Sequence, residues 1–438
     1  CTSCHDPHDN RYGKFLVKPN ANAALCTTCH QKTNYTSSAH AVSHLAYTPP
    51  GGSATTVREY SCRSCHQTHG ASTAQAYLLR GAEENTCYLC HGSPALSGAK
   101  NIKNLFAKAY KHPTETSAGL HKNPELDASN LGPGRRHAEC WDCHNPHQAQ
   151  TGTHTVGTAS GNLIGKALLG QWGVEPSWGS TAWVTAASYV RQVFTGTTGF
   201  KEYQLCLKCH SSYAFASSPP AGITDQAIEL NPYNRGAHPL RAGLSSQAGA
   251  TSPKALAASQ MSAPWTAMGS QTMSCSDCHD SDAASDPKGP HGSAASRILK
   301  GPRKYWPKNA ANALWTLQDV RNNQNSWSTD LFCVNCHPLR SGSNWLSEPH
   351  DAHDSRTFDG QGMKCVMCHS VNPHGSKRSR LIVYDTEPAP YNYSGTGTFD
   401  KALIKGFKKA SSPTNYAKGN CYTISGCHGN TNTGGYDP

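Results

Sequence analysis

Ten cysteine pairs, each followed directly by a histidine, are the groups in this sequence best suited to chemistry. Nine have the form C-x-x-C-H, and the tenth, at Cys421–His428, has the form C-x5-C-H. In a C-x-x-C-H motif, two thiols bind the vinyl groups of one haem and the histidine binds its iron. The spacing suits this, because residues i, i+3 and i+4 share one face of a helical turn. The cysteines are Cys1, Cys4, Cys26, Cys29, Cys62, Cys65, Cys87, Cys90, Cys140, Cys143, Cys206, Cys209, Cys275, Cys278, Cys333, Cys336, Cys365, Cys368, Cys421 and Cys427, and the histidines are His5, His30, His66, His91, His144, His210, His279, His337, His369 and His428.

The cysteine count supports covalent haem over the alternatives. The chain has 20 cysteines, and the ten motifs use all of them. A disulfide framework or a set of zinc sites would not require a histidine after every second cysteine. We therefore predict about ten covalently attached haem c groups. The wider spacing of the tenth motif leaves a disulfide between Cys421 and Cys427 open as an alternative.

The composition indicates that something other than side chains fills the interior. Of 438 residues, 36% are hydrophobic and 15% charged, with 39 glycines and 27 prolines. This is too few aliphatic residues for several ordinary cores and too few charges for a typical disordered chain. We predict an irregular, loop-rich, extended fold with short helices near the motifs, little strand and a core made of stacked haems. Ala182–Phe194 is expected to be a strand or strand pair, and Asn309–Asp319 a short helix.

The charge balance does not indicate nucleic acid as a partner. The formal charge is +11, but ten ferric haems with ionised propionates would bring it to roughly +1. The sequence has no apolar run of about 20 residues that would insert in a membrane. Because it begins at Cys1, we expect a processed chain whose export signal has been removed. Haem attachment to cysteine takes place outside the cytoplasm, which favours an extracellular or cell-surface location, with the periplasm as the alternative.

The motifs recur in pairs. Cys1–His30 and Cys62–His91 share a 25-residue offset between motif starts, and CTSCHDPH in the first parallels CRSCHQTH in the second. Fixed repeats favour a quasi-linear array in which each unit contacts its neighbours. We divide the chain into five haem-pair repeats that are not independent globular domains: 1–61, 62–139, 140–274 (with insertions), 275–364 and 365–438.

The segment C-x-x-C-H-x-x-H-G…L-L-R-G…C-x-x-C-H at 62–91 resembles the doubled-CXXCH family of multihaem c-type cytochromes. Looser copies of the same pattern cover the rest of the chain. The sequence is also similar to the outer-surface cytochromes of metal-reducing bacteria, some of which polymerise into haem-filled filaments. This resemblance implies extracellular electron transfer as a nanowire-like homopolymer. Its expected partners are redox cytochromes and extracellular acceptors such as metal oxides.

Fourteen of the 24 histidines remain as candidate distal iron ligands. The best candidates follow the first motif of each repeat, and we expect each to serve a neighbouring haem. These are His8, His69, His147, His291 and His374. A second set, chosen from clusters between the repeats, consists of His44, His112, His137, His238 and His353, with His40, His121, His154 and His350 as alternates.

This supply of histidines favours an electron carrier over an enzyme. A haem reductase needs an open iron position, whereas bis-histidine ligation leaves none. A monomeric shuttle in the periplasm or at the outer membrane, and a multihaem reductase, remain the alternatives. One asymmetry favours the polymer: repeat five alone is not followed by spare histidines. We expect it to borrow a ligand from elsewhere in the chain or from another copy, and a non-closing head-to-tail contact of this kind propagates as a filament.

Overall fold

A computed structural model describes residues 1–71, 76–115, 131, 136–196, 199–216, 218–244, 255–323, 330–339, 350–358, 360–409, 418–424 and 436–437. Most of this chain is loop and turn, with short helices and two-residue strands between the motifs. The prediction of an irregular, loop-rich fold is confirmed. The stacked-haem core remains a prediction.

Most helices are single turns built around or beside a motif. The longest, α2, runs for nine residues and ends on the histidine of its motif. Glu83 and Glu84 occupy its first turn, where negative charge suits the helix dipole. The α-helices are α1 (Val57–Tyr60), α2 (Glu83–His91), α3 (Cys140–Cys143), α4 (Glu202–Leu207), α5 (Ser212–Phe215), α6 (Gln226–Glu229), α7 (Leu317–Asn323) and α8 (His350–His353). The 3-10 turns are Ala21–Ala23, Cys26–Thr28, Tyr35–Ser37, Ser61–Ser64, Ala76–Leu78, Lys103–Ala107, Lys166–Leu168, Ala258–Gln260, Cys275–Asp277, Ser296–Ile298, Phe332–Asn335, Cys365–Met367, Ser379–Leu381 and Lys418–Asn420.

The strands of the described residues pair two by two and antiparallel. The partners are β1 with β2, β3 with β7, β4 with β5, β6 with β10, β8 with β9, and β11 with β12. Their bounds are β1 Ala46–Tyr47, β2 Thr55–Thr56, β3 Tyr110–Lys111, β4 Trp172–Ser177, β5 Ser188–Val193, β6 Gly236–Ala237, β7 Gly292–Ser293, β8 Thr357–Phe358, β9 Gln361–Gly362, β10 Gly375–Ser376, β11 Ile404–Phe407 and β12 Cys421–Thr423.

The longest ladder is β4–β5, with Trp172 opposite Val193 and Ser177 opposite Ser188. The strand expected within 182–194 is therefore present, and its partner is the tryptophan-containing segment before it. Trp172 and Val174 on β4 are buried against helix α4 and its surroundings. The helix expected at 309–319 is wrong: residues 309–316 form turns and bridges, and α7 begins only at Leu317.

Two short ladders join repeats that are distant in sequence. Strand β3, which lies in repeat two after its second motif, pairs with β7 of repeat four, with Lys111 opposite Gly292. Strand β6, which lies in repeat three after its second motif, pairs with β10 of repeat five, with Ala237 opposite Gly375. Each ladder lies beside two histidines of the candidate site, so these few backbone bonds fix the positions of side chains contributed by separate repeats.

The apolar clusters are small and lie against the motif cysteines. The largest contains Trp172, Leu207 and Phe215, and Cys209 and Cys275 pack against it. Another packs on Cys333 and Cys365, and a third on Cys368 and Cys421. Among the described residues, no helix has the length and apolar character needed to span a bilayer.

Candidate functional site

The C-x-x-C-H motifs fold as the helical turn that their spacing predicts. In each, the histidine N–H donates to the carbonyl oxygen of the first cysteine, as between His5 and Cys1 at 2.9 Å and between His144 and Cys140 at 2.8 Å. All the described cysteines are free. Cys421 is among them, whereas Cys427 and His428 lie outside the described residues. Two thiols and one imidazole are thus presented together by each turn.

Eight of the motif histidines face a second histidine ring across a nearly constant gap. The ring centroids lie 5.9–6.4 Å apart. The rings of His66 and His147 are almost parallel, at 9°. The facing pairs are His5–His69, His66–His147, His91–His40, His144–His291, His210–His112, His279–His374, His337–His238 and His369–His350.

The gap has the width that one iron atom requires. A metal–imidazole bond of about 2 Å on each side, added to roughly 1 Å from each ring centre to its nitrogen, gives about 6 Å between centroids. A direct hydrogen bond between two imidazoles would bring them closer. The histidine pairs and adjacent thiols therefore fit a haem iron with two axial imidazoles.

The other ring nitrogen of most of these histidines is already hydrogen-bonded. Nδ1 of His66 contacts the carbonyl oxygen of Tyr77 at 2.8 Å, and Nδ1 of His279 contacts that of Arg297 at 2.7 Å. An Nδ1–H donor leaves Nε2 as the free, metal-binding nitrogen. The same contact recurs at His5, His91, His144 and His369, with Lys14, Lys100, Ala167 and Arg380 as acceptors.

A left-handed residue positions this carbonyl in four repeats. Tyr77 and Arg297 have φ of 59° and 61°, and Lys14 and Arg380 occupy the equivalent positions with φ of 51° and 61°. Non-glycine residues seldom adopt this conformation. Two residues further on, a buried aliphatic residue forms an isolated β-bridge with the motif histidine, as Leu79 does with His66. The L-L-R-G stretch noticed in the sequence is this turn in repeat two.

The pairing follows two rules. A histidine that follows the first motif of one repeat faces the first motif of the repeat before it, as His147 faces His66. In the first three repeats, a histidine that trails the repeat faces the second motif of the next, as His112 faces His210. His350, which trails repeat four, instead faces the first motif of repeat five. Each of the three trailing histidines of the first three repeats also donates its Nδ1–H to a proline carbonyl oxygen two repeats ahead. These contacts join His40 with Pro146, His112 with Pro290, and His238 with Pro373.

Several predicted distal ligands are placed differently from expectation. His40, and not His44, faces His91, and His44 is exposed. His350, and not His353, faces His369. His137 is buried beside Asp142, with its Nε2 3.5 Å from the carboxylate, because the Glu139–Asp142 turn closes over it. The alternate His154 contacts Asp277 at 2.9 Å, and His121 lies outside the described residues.

Two histidines near the start of the chain have no facing imidazole among the described residues. His8 and His30 are both exposed, and neither ring contacts another aromatic ring there. Sequence reasoning placed His8 among the distal ligands and His30 among the proximal ones. Within the described residues, the structure brings neither to a partner.

Burial favours the neutral form of several facing imidazoles. It lowers the pKa of His210, His291 and His337 to about 3, with a smaller contribution from neighbouring histidines. The pKa of His112 is also lowered by burial, against the opposing hydrogen bond to Pro290. A metal ligand must be the neutral imidazole. These rings therefore need no deprotonation before binding iron at neutral pH.

The motifs form an unbroken row. Each of the first eight regular motifs has a cysteine close to a cysteine of the next regular motif along the chain. Cys62 raises the pKa of Cys26, Cys87 raises that of Cys140, and Cys275 raises that of Cys206. In the remaining steps, one cysteine acts with burial to raise the pKa of its neighbour: Cys4 on Cys26, Cys90 on Cys65, Cys206 on Cys143, Cys278 on Cys336, and Cys333 on Cys365.

Comparison with known proteins agrees with this geometry. A family model described as the doubled CXXCH motif matches residues 1–35 and 55–96, which contain the first four motifs. Searches of curated proteins and of solved structures find no significant match. The match covers less than a fifth of the chain, and over these stretches the chain is similar to multihaem c-type cytochromes, whose doubled CXXCH motifs imply covalently bound haem. More particularly, it carries the doubled CXXCH repeat, which supports the resemblance drawn from 62–91.

Proposed function

We propose that the chain conducts electrons along ten bis-histidine haems and does so as a head-to-tail polymer outside the cell. The observation that carries the proposal is the unbroken row of nine motifs, in which each motif approaches the next through a cysteine. When bound, haem c supplies reversible one-electron chemistry at iron. The residues hold successive attachment points side by side, which is what transfer along a row requires.

The facing histidines support conduction over ligand chemistry. Eight motif histidines have a second imidazole at the separation that two iron–nitrogen bonds require, so both axial positions are provided for. Because one imidazole of each pair comes from a different repeat, ligation also ties the repeats together. The proposed ligand set replaces His44 with His40 and His353 with His350.

The surface around Pro7 and His8 supports assembly with a second copy. Pro7–His8 repeats the proline–histidine pair of 146–147, 290–291 and 373–374. In those three pairs, the proline carbonyl contacts a trailing histidine and the histidine faces the first motif of the preceding repeat. Among the described residues, Pro7 and His8 have neither partner, and His8 is exposed. His350 already faces His369, so the motif histidine of repeat five that would be left for His8 of another copy is His428, which lies outside the described residues.

Substitution of His8 tests this assembly. In His8→Ala, we expect mature monomers to form but filaments to be lost in negative-stain microscopy. His44→Ala is the matched control, because His44 is also an exposed histidine without a facing imidazole. Filaments of normal length in His8→Ala would overturn the role of His8. If the wild-type protein stays monomeric while all its irons are low-spin, the alternative function of a monomeric electron shuttle would be favoured.

His30 supports a multihaem reductase as a second candidate. Its ring is exposed, and no imidazole of the described residues faces it. An iron bound there with one open axial position could take a small ligand such as nitrite. A high-spin ferric signal in the assembled protein, lost in His30→Ala together with nitrite or hydroxylamine turnover, would establish this activity. A fully low-spin assembly without turnover would exclude it.

A further inference from the structure

One facing pair, His279 and His374, differs from the others in the group that contacts Nδ1 of one of its histidines. Nδ1 of His374 is 2.6 Å from Oε2 of Glu229, a carboxylate from helix α6. At nine other facing histidines, Nδ1 meets a backbone carbonyl oxygen instead. His291, which holds the equivalent place one repeat earlier, has a buried Nδ1 without any hydrogen-bond partner. His374, with a carboxylate at Nδ1, can thus be compared with His291 within the same chain.

We propose that Glu229 is a positioning residue that gives His374 imidazolate character and makes the iron between His279 and His374 the lowest-potential site of the row. This inference rests on the proposed bis-histidine ligation of that iron. A carboxylate accepts the Nδ1 proton more strongly than a carbonyl does and raises the basicity of Nε2. A more basic axial ligand stabilises ferric over ferrous iron.

The carboxylate is fully enclosed, so the contact is not shared with water. Glu229 has 0% exposure. Thr224 Oγ1 donates to its other oxygen, and Asn372 Nδ2 donates to Thr224 at 3.3 Å. In such surroundings a charge-assisted hydrogen bond is stronger than it would be in water. The enclosure therefore increases the effect of Glu229 on the ring.

The backbone around Glu229 also fixes the distance. Asn234 Nδ2 donates to the Glu229 carbonyl at 2.9 Å. Gly375, directly after His374, lies so close that a Cβ there would be 1.9 Å from the same carbonyl oxygen. The β6–β10 ladder then holds His374 against α6. The nearby cation is Arg297, whose pKa is lowered by burial and raised in part by Glu229.

The test is Glu229→Gln in the mature full-length protein, followed by spectroelectrochemical titration and ferric EPR. The amide keeps the shape but loses the charge. We expect the lowest-potential component to move upward, with on the order of a tenfold higher ferrous-to-ferric ratio at its wild-type midpoint. One low-spin EPR species should change its g values. The matched control is Glu202→Gln. The carboxylate of Glu202 is also buried and contacts Ser276 in the Cys275–His279 motif, but it contacts no ligand ring.

Thr224→Val gives a second variant with the opposite sign. It removes the hydroxyl donor from Glu229, leaves the carboxylate a stronger acceptor for His374, and should move the same component downward. Equal shifts in Glu229→Gln and Glu202→Gln would overturn the inference in favour of general buried charge. Unchanged potentials in Glu229→Gln, with the wild-type number of low-spin irons, would overturn the effect of Glu229 on the potential. They would not overturn the bis-histidine ligation. A high-spin iron at this pair in the wild type would instead count against the proposed ligation.

Discussion

The ring of His40 faces that of His91 with 6.3 Å between centroids, although the two histidines belong to different repeats. Nδ1 of His40 contacts the carbonyl oxygen of Pro146 at 3.1 Å. The Ala39 N–H donates to Ala149 at 2.7 Å next to it. Repeat three therefore positions a side chain of repeat one against repeat two, and three repeats are joined through one imidazole.

Replacement of His40 should affect one iron and replacement of His44 none. In His40→Ala, the iron at the Cys87–His91 motif would lose its second imidazole, because no other described histidine faces His91. We expect one haem equivalent to change from low-spin to high-spin in ferric EPR, and the same equivalent to bind cyanide. In His44→Ala, the spin count should stay at the wild-type value. The opposite result from the two variants would show that His44 is the ligand.

The contrast between His40 and His44 shows where sequence reasoning stops. The motif cysteines, the helical turns and the loop-rich fold follow from local spacing, which the sequence displays directly. The choice between two histidines four residues apart depends on Ala149 and Pro146, more than 100 residues away. Glu229 has no local pattern at all, because its contact with His374 comes from packing α6 on repeat five. The trailing-histidine rule was visible only as clusters between repeats.

Lys108 should stabilise the contact between the end of repeat two and repeat four. Its Nζ lies 2.7 Å from both Asp282 and Asp286, and all three side chains are at most 26% exposed. Partial burial raises the pKa of Asp282, but hydrogen bonds from Lys108, the Ala294 N–H and Lys304 outweigh it and leave the pKa lowered. Lys108→Met should therefore cost about 1–3 kcal/mol of unfolding free energy at pH 7.

The pH dependence follows from that lowered pKa. The carboxylate contributes stability above its unfolded pKa of about 3.9 and loses it as pH falls further. The difference between wild type and Lys108→Met, measured by denaturant unfolding, should be full at pH 7 and shrink below pH 4 or so. Lys111→Met is the control, since Lys111 is exposed on the strand β3 that follows Lys108. A difference that stays constant down to pH 3 would contradict the ion pair as its source.

Glu83 should destabilise the protein at neutral pH. Burial raises its pKa to about 9, opposed by a hydrogen bond from the Trp141 N–H. Its carboxylate lies within 4.8 Å of those of Glu84 and Glu139. Since the unfolded pKa is about 4.3, the folded state is penalised as pH rises from there towards 9. Glu83→Gln keeps an acceptor for Trp141 and should gain about 1–3 kcal/mol at pH 7 but nothing at pH 4.

Thermal unfolding at the two pH values measures this gain. Glu59→Gln is the control with the opposite expectation, because hydrogen bonds from Thr55 and Thr56 lower the pKa of Glu59 and cap helix α1. That variant should be slightly less stable than wild type at pH 7. A loss of stability in Glu83→Gln at pH 7 would contradict the prediction.

Gly292 should be required for ligation at two irons. A Cβ at Gly292 would lie 2.0 Å from the carbonyl oxygen of Leu105, so alanine must push β7 away from the Lys103–Ala107 turn that precedes its partner strand β3. Overpacking of this kind costs about 1–3 kcal/mol. The displacement acts on His291 directly and on His112 through the His112 N–H···O=C His291 bond at 3.3 Å. In Gly292→Ala, up to two haem equivalents should become high-spin while the covalent haem content stays constant.

Gly179→Ala, with no atom within 4 Å of the added methyl, should match wild type. Unchanged spin states in Gly292→Ala would show that the β3–β7 ladder does not position these two histidines.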